Sequence, residues 1–138
     1  MKKQISFASI AVVLFALLFN LSSCEKDSGK LPNIGFKTGG NYTSADVTKT
    51  AGDTIVVGIS ASKAEDADIL KTLSITKSVN GAAATTLQTI TLTTAQQDTY
   101  SQDFTLTAGA AGTASLYTFT VSNRDGLINS VHLTLTGN

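Results

Sequence analysis

The chain has 138 residues, ten basic and ten acidic side chains, one histidine, one cysteine and no tryptophan. That length suits one ordinary domain, and a formal charge of zero excludes the strongly basic footprint of a nucleic-acid binder. A single cysteine excludes an internal disulfide framework and a cysteine-based metal site.

Lys2 and Lys3 precede an apolar run from Ile5 to Phe19, and Leu21-Ser22-Ser23-Cys24 follows. A charged start, a short apolar stretch and small residues before a cut site are the parts of a secretory signal. Ser6 and Ser9 interrupt the run, which falls short of the ~20 residues that span a bilayer. Both features weigh against the alternative, an uncleaved transmembrane anchor. Leu21, Ser22, Ser23 and Cys24 resemble the lipobox of bacterial lipoproteins. The resemblance implies cleavage before Cys24 and acylation of its sulfur and its new amino group. The chain then divides into a signal peptide (1–23), a polar tether (24–32) and a β-domain (33–138). Removing residues 1–23 leaves 115 residues with eight basic and ten acidic side chains, a charge of −2. Glu25-Lys26-Asp27 resembles, loosely, the acidic surface-export signal of Bacteroidota-type lipoproteins. It implies an outer-membrane lipoprotein on the cell surface, with the periplasmic face as the alternative. Fully extended, the tether reaches on the order of 30 Å.

Past Pro32 the chain is rich in threonine and serine, which suits exposed strand faces. A first edge piece is predicted over 33–37, broken at Gly39-Gly40, and a second over 42–47. Residues 54–61 alternate with Ile55, Val57, Ile59 and Ala61 on one face. Over 71–79, Leu73, Ile75 and Val79 share a face. Asn80-Gly81 then marks a type I′ hairpin turn. The return strand, 83–92, carries Leu87, Ile90 and Leu92, and its apolar phase slips between Leu87 and Ile90, predicting a bulge or bend. Residues 99–107 put Tyr100, Phe104 and Leu106 inward. After the small-residue turn 108–112, strand 115–122 buries Tyr117, Phe119 and Val121. Asn123-Arg124-Asp125-Gly126 is a tight hairpin, and the last strand, 127–136, buries Val131, Leu133 and Leu135. Regularly spaced short strands predict a sandwich or barrel. With the split edge counted once, seven strands result.

Tyr117-Thr118-Phe119-Thr120-Val121, the turn, and Ser130-Val131-His132-Leu133-Thr134-Leu135 resemble the closing hairpin of bacterial immunoglobulin-like, PKD-like and fibronectin-III-like modules. The resemblance covers roughly residues 33–136 and implies an all-β, antiparallel, seven-stranded immunoglobulin-like sandwich. It places Tyr117 as a tyrosine corner whose hydroxyl bonds the 108–112 turn, and Phe119 where an antibody domain has its second cysteine. The cysteine pair and the core tryptophan of antibodies are absent. A jelly roll or another antiparallel sandwich is the alternative.

His132 alternates out of phase with Val131 and Leu133 and should face solvent, so no catalytic residue is assigned. Glu65-Asp66-Ala67-Asp68 is the densest acidic cluster. Calcium takes several oxygen ligands, yet the order of a calcium loop is missing, and a solvated loop is the plainer expectation. No metal and no cofactor are assigned. Asp53-Thr54-Ile55 resembles the Asp-Thr-apolar site of O-glycosylation in Bacteroidota-type bacteria, with Thr54 as acceptor.

The expected function is a non-catalytic binding or adhesion accessory. A structural envelope or assembly subunit holding a protein partner is the alternative, and a small hydrolase comes last. Expected partners are a membrane through the N-terminal lipid and a protein or glycan ligand. Nucleic acid is excluded, and a monomer is expected. In the immunoglobulin-like topology, Glu65–Asp68 and Asn123–Gly126 lie at the tether end. The Asn80-Gly81 turn, residues 108–112 and Asn138 lie at the far end.

Overall fold

The computed structural model describes residues 29–138. The lipobox Leu21, Ser22, Ser23 and Cys24, and Glu25, Lys26 and Asp27 behind it, lie outside the described residues, as does the signal segment.

Threonine-rich segments with alternating apolar residues form eight strands: β1 (Asn33–Phe36), β2 (Val47–Lys49), β3 (Thr54–Ser62), β4 (Leu70–Val79), β5 (Thr85–Thr91), β6 (Thr99–Thr107), β7 (Ala114–Asn123) and β8 (Ile128–Gly137). They make two sheets, in the order β1-β3-β6 and β2-β8-β7-β4-β5. The all-β two-sheet architecture therefore matches the alternation in the sequence.

Two features of the expected fold need correction. Eight strands stand where seven were expected, and the pairing is not wholly antiparallel, since β2 runs parallel to β8 with Val47 opposite Leu135. Both come from the split edge. Gly39 and Gly40 turn the chain at positive φ, a conformation glycine adopts without strain. β1 then stays with β3 while β2 joins the other sheet. The second edge piece is also shifted from 42–47. Tyr42 makes only an isolated bridge to Val56, and the Asp46 carboxylate accepts the Thr134 N–H at 2.7 Å. A side chain thus occupies the β8 edge just ahead of Val47.

Inward rows from both sheets meet in one core: Ile55, Val57, Ile59 and Ala61 on β3, Leu73 and Ile75 on β4, Tyr117, Phe119 and Val121 on β7, and Leu133 and Leu135 on β8. Alternation produces this, because successive strand side chains point to opposite faces. Two side chains grouped with inward rows are exposed instead. Val79, 37% exposed, ends β4 beside the turn. Leu87 is the extra residue of a bulge: Ile75 lies opposite Gln88 and Thr76 opposite Thr86. The irregularity expected between Leu87 and Ile90 thus falls at Leu87 itself. The Asn80-Gly81 turn has φ of 50° and 77° and is closed by Ala82 N–H donating to Val79 O at 2.9 Å, as a type I′ turn requires.

Tyr117 is buried, but its hydroxyl does not bond the 108–112 turn. That segment is held by backbone, with Ala108 N–H donating to Asp53 O at 2.8 Å and Gly112 N–H to Gly137 O at 2.9 Å. Tyr117 instead stands opposite Lys77 in the ladder, whose ammonium lies 5.4 Å from the ring centroid. Phe119 is fully buried in the same core as Val57 and Ile59. It makes ring contacts with Phe104 (5.5 Å) and Phe36 (6.2 Å, edge-on). These are the ladder neighbours of Val57 and Ile59. The larger rings reach the middle of the core first.

Loop placement follows the expected ends. Asp68 bonds Asn123 and Lys30 pairs with Glu65 at one end. At the other, Ala51 N–H donates to Asn138 O and Asn80 N–H to Ala114 O.

Candidate functional site

The outer face of the β1-β3-β6 sheet is unusually smooth. Register aligns Asn33, Ser62 and Thr99 in one row, and Gly35, Ser60 and Ser101 in the next. Small polar side chains leave a shallow groove of about 380 Å³ there, bordered also by Ile34, Ala61 and Tyr100. Tyr100 is buried, its hydroxyl donates to the Gln102 side chain, and burial raises its pKa above the ordinary tyrosine value.

The adjoining row holds the most organised polar cluster on this face. Lys37 Nζ lies 2.7 Å from Asp103 Oδ1, and the Tyr42 hydroxyl donates to Asp103 Oδ2 at 3.0 Å. The Lys37 ammonium also stands 5.5 Å from the Tyr42 ring centroid. To reach Asp103 on β6, Lys37 crosses over β3 at Gly58. A Cβ on Gly58 would stand 2.6–2.9 Å from Lys37 side-chain carbons, so only glycine opens that lane. The hydrogen bond to Asp103 raises the Lys37 pKa. The hydrogen bonds from Lys37 and then Tyr42 hold the Asp103 carboxyl below the usual carboxylate range. The sequence reading missed this cluster. Its signal was Gly58, an isolated glycine inside a strand, which marks a close approach by another group.

The pKa directions set a pH dependence. A carboxyl with a lowered folded pKa stabilises above its unfolded pKa and loses that contribution as pH falls through the folded value. A lysine with a raised pKa stabilises below its unfolded value and loses that as pH rises through the folded one. The stability difference between wild type and Asp103→Asn should therefore be largest at neutral pH and shrink at both extremes. It should also shrink with added salt, because the pair is partly solvated. Thermal unfolding across pH checks this; a difference that does not change with pH would contradict the clamp.

No group of three or more His, Cys, Asp or Glu side chains that could hold a metal occurs among the described residues. Asp68 is buried. It accepts from Asn123 Nδ2 at 2.7 Å and from Ile69 N–H at 2.7 Å. Glu65 faces Lys30 at 3.7 Å, and the Lys63 ammonium donates to Asp66 O. Asn123, read as a turn residue, is the hub of this end. Its Oδ1 accepts from the N–H groups of Asp125 (3.1 Å) and Leu127 (2.8 Å), and its Nδ2 also reaches Lys30 O. His132 is exposed, as the alternation predicts, and lies opposite Thr118. Thr54 is the exposed first residue of β3.

The end of the segment 24–32 is docked on the domain. Pro32 is fully buried and its carbonyl accepts from Asn129 Nδ2 at 3.0 Å. With the Lys30 contacts, residues 30–32 lie against the domain rather than linking it loosely.

No protein-family model matches the chain, and no curated protein matches it. Among solved structures, it is similar to a superoxide reductase (neelaredoxin) from Ignicoccus hospitalis. Identity is 11%, coverage 84% of this chain and 86% of that one, and the TM-score 0.52. The sporulation control protein Spo0M from Bacillus subtilis aligns at 7% identity over 79% of this chain and 51% of its own, with a TM-score of 0.46. A β-glucosidase from Listeria innocua aligns at 9% identity over 77% of this chain and 16% of its own, with a TM-score of 0.44. At these identities the first likeness shows the fold alone, and the other two carry no argument.

Proposed function

We propose that this is a lipid-anchored cell-envelope protein, held in the outer membrane through acylated Cys24, whose immunoglobulin-like domain is a non-catalytic binding module. The immunoglobulin-like assignment is supported by strand order. β1, β3 and β6 take the places of strands A, B and E, and β4, β7 and β8 those of C, F and G. β5 flanks β4 and β2 flanks β8. The observation that carries the binding reading is the outer face of the three-stranded sheet. Its hydroxyl- and amide-lined groove lies beside the Lys37–Asp103–Tyr42 cluster and is open to a glycan or an extended polar chain. The charged groups around it are engaged in holding the fold. Asp103 is occupied by Lys37 and Tyr42, and Asp98 by Lys63.

Two measurements test this. Cys24→Ala should move the protein from the membrane pellet to the soluble fraction, and retention in the pellet would remove the anchor. Screening the purified protein on a glycan array should give binding that Ser60→Trp and Ser101→Trp abolish without changing thermal unfolding. Binding that survives both substitutions would move the ligand off this face. Thr54, exposed at the start of β3, is the proposed O-glycan acceptor, and a hexose-bearing peptide at Thr54 in the native protein would establish it.

An assembly subunit is the second reading, favoured by β5. This edge strand carries no proline, and no charged residue occurs from Gly81 to Gln97. Edges are commonly guarded by just such residues. An extended segment of a partner could add to it.

A further inference from the structure

We infer that the end of the sandwich where the chain leaves Gly29 rests on the lipid bilayer, with Leu31 and Ile128 in contact with lipid. The inference rests on the proposed lipid anchor and deepens it by naming the surface that faces the membrane.

Two of the five large apolar side chains exposed among the described residues stand at the tether end. Leu31 is 54% exposed and Ile128 59%, and both flank the point where the tether joins the domain. One hydrogen bond ties their segments together: Asn129, next to Ile128, donates to the carbonyl of Pro32, next to Leu31, at 3.0 Å. Leu127 continues the apolar strip, its Cδ1 lying 3.1 Å from where a Cβ on Gly29 would stand. Neither Leu31 nor Ile128 is part of the buried core.

Chain length then fixes what they can meet. Gly29 lies five residues beyond Cys24, so the two are at most about 18 Å apart. That is close to the reach of one side-chain layer and a headgroup layer. The docked residues 30–32 take up what would otherwise be slack. Three ion pairs neutralise part of the charge at this end: Lys30 with Glu65, Lys63 with Asp98 and Arg124 with Asp125. Asp66 and Asp68 stand outside these pairs, so the 65–68 loop retains negative charge and this end favours neutral over anionic lipid. Interfacial binding of this kind scales with buried apolar area. Two or three side chains orient a domain that is already anchored; they do not anchor it. The Asn80-Gly81 end is then left open to the medium, whereas the groove row Asn33–Ser62–Thr99 lies next to the membrane-facing end.

The absence of tryptophan makes a direct test available. The full lipoprotein is reconstituted into phosphatidylcholine vesicles with and without brominated acyl chains, as Leu31→Trp, Ile128→Trp and Val79→Trp. Positions 31 and 128 are more than half exposed, so the ring can be carried without disturbing the core, and circular dichroism confirms the fold. Fluorescence at positions 31 and 128 should shift to the blue and be quenched at least twofold by brominated lipid, with position 79 unchanged. Quenching at positions 31 and 128 should weaken when a third of the lipid is phosphatidylglycerol, because the 65–68 loop is acidic. Vesicle flotation is read on the same samples. Variants that float but show equal or no quenching at all three positions overturn the lipid contact and leave the anchor intact. Variants that do not float overturn the anchor, and the contact with it.

Discussion

Phe119→Ala should destabilise the domain by about 3–5 kcal/mol, the range for truncating a buried phenylalanine. Phe119 is fully buried, and its ring lies between Phe36 of β1 and Phe104 of β6. These come from the two edges of the opposing sheet. Removing the ring therefore empties the middle of the core, where neighbours on both sides are fixed by strand pairing and cannot collapse inward. Edge-on and tilted ring pairs add to the loss beyond buried area. Domains of this size hold about 5–15 kcal/mol in total, so the urea midpoint should fall steeply with the slope unchanged. A loss well under 1 kcal/mol would reject this packing.

Asn123→Ala should rank with it, at on the order of 3 kcal/mol or more, although it removes little apolar volume. Asn123 is buried and donates to the buried carboxylate of Asp68. Its carbonyl oxygen also satisfies the N–H groups of Asp125 and Leu127 in the turn. Alanine leaves a buried acceptor and two turn donors without these partners. Asn123→Asp separates this from simple loss of packing. Two carboxylates at hydrogen-bond distance repel, and one is driven to bind a proton in the folded state. The folded pair then holds protons more tightly than the unfolded chain, so this variant should gain stability as pH falls from neutral. Wild type should show no such gain. If Asn123→Asp matched wild type at neutral pH, the bond to Asp68 would have little energetic weight. Loosening of Lys30, whose carbonyl faces Asn123, should accompany the loss and appear as faster proteolysis near residue 30.

Much of this protein is set by local pattern. Period-two alternation places β3, β4, β7 and β8 and their buried rows, because burying one face of a strand fixes every second residue. The Asn80-Gly81 turn follows from two adjacent residues that accept positive φ. The exposure of His132 follows from its neighbours on β8. Near where the alternation weakens, the chain does bulge, at Leu87. Other features depend on contacts between residues far apart in the chain, and local pattern carries no trace of them. The split of the first edge between two sheets depends on where the chain turns at Gly39-Gly40 and on Asp46 capping a β8 amide. The contact of the Tyr117 ring with the Lys77 ammonium appears only once register sets the two opposite each other. Lys37, Tyr42, Gly58 and Asp103 are scattered over three segments, and only register brings them into one cluster. Asp68 looked like a solvated loop acid and Asn123 like a turn former, yet they meet buried across 55 positions. Sequence reports which side chains an element must hide. Tertiary packing decides which polar groups, once hidden or crowded together, must bond one another.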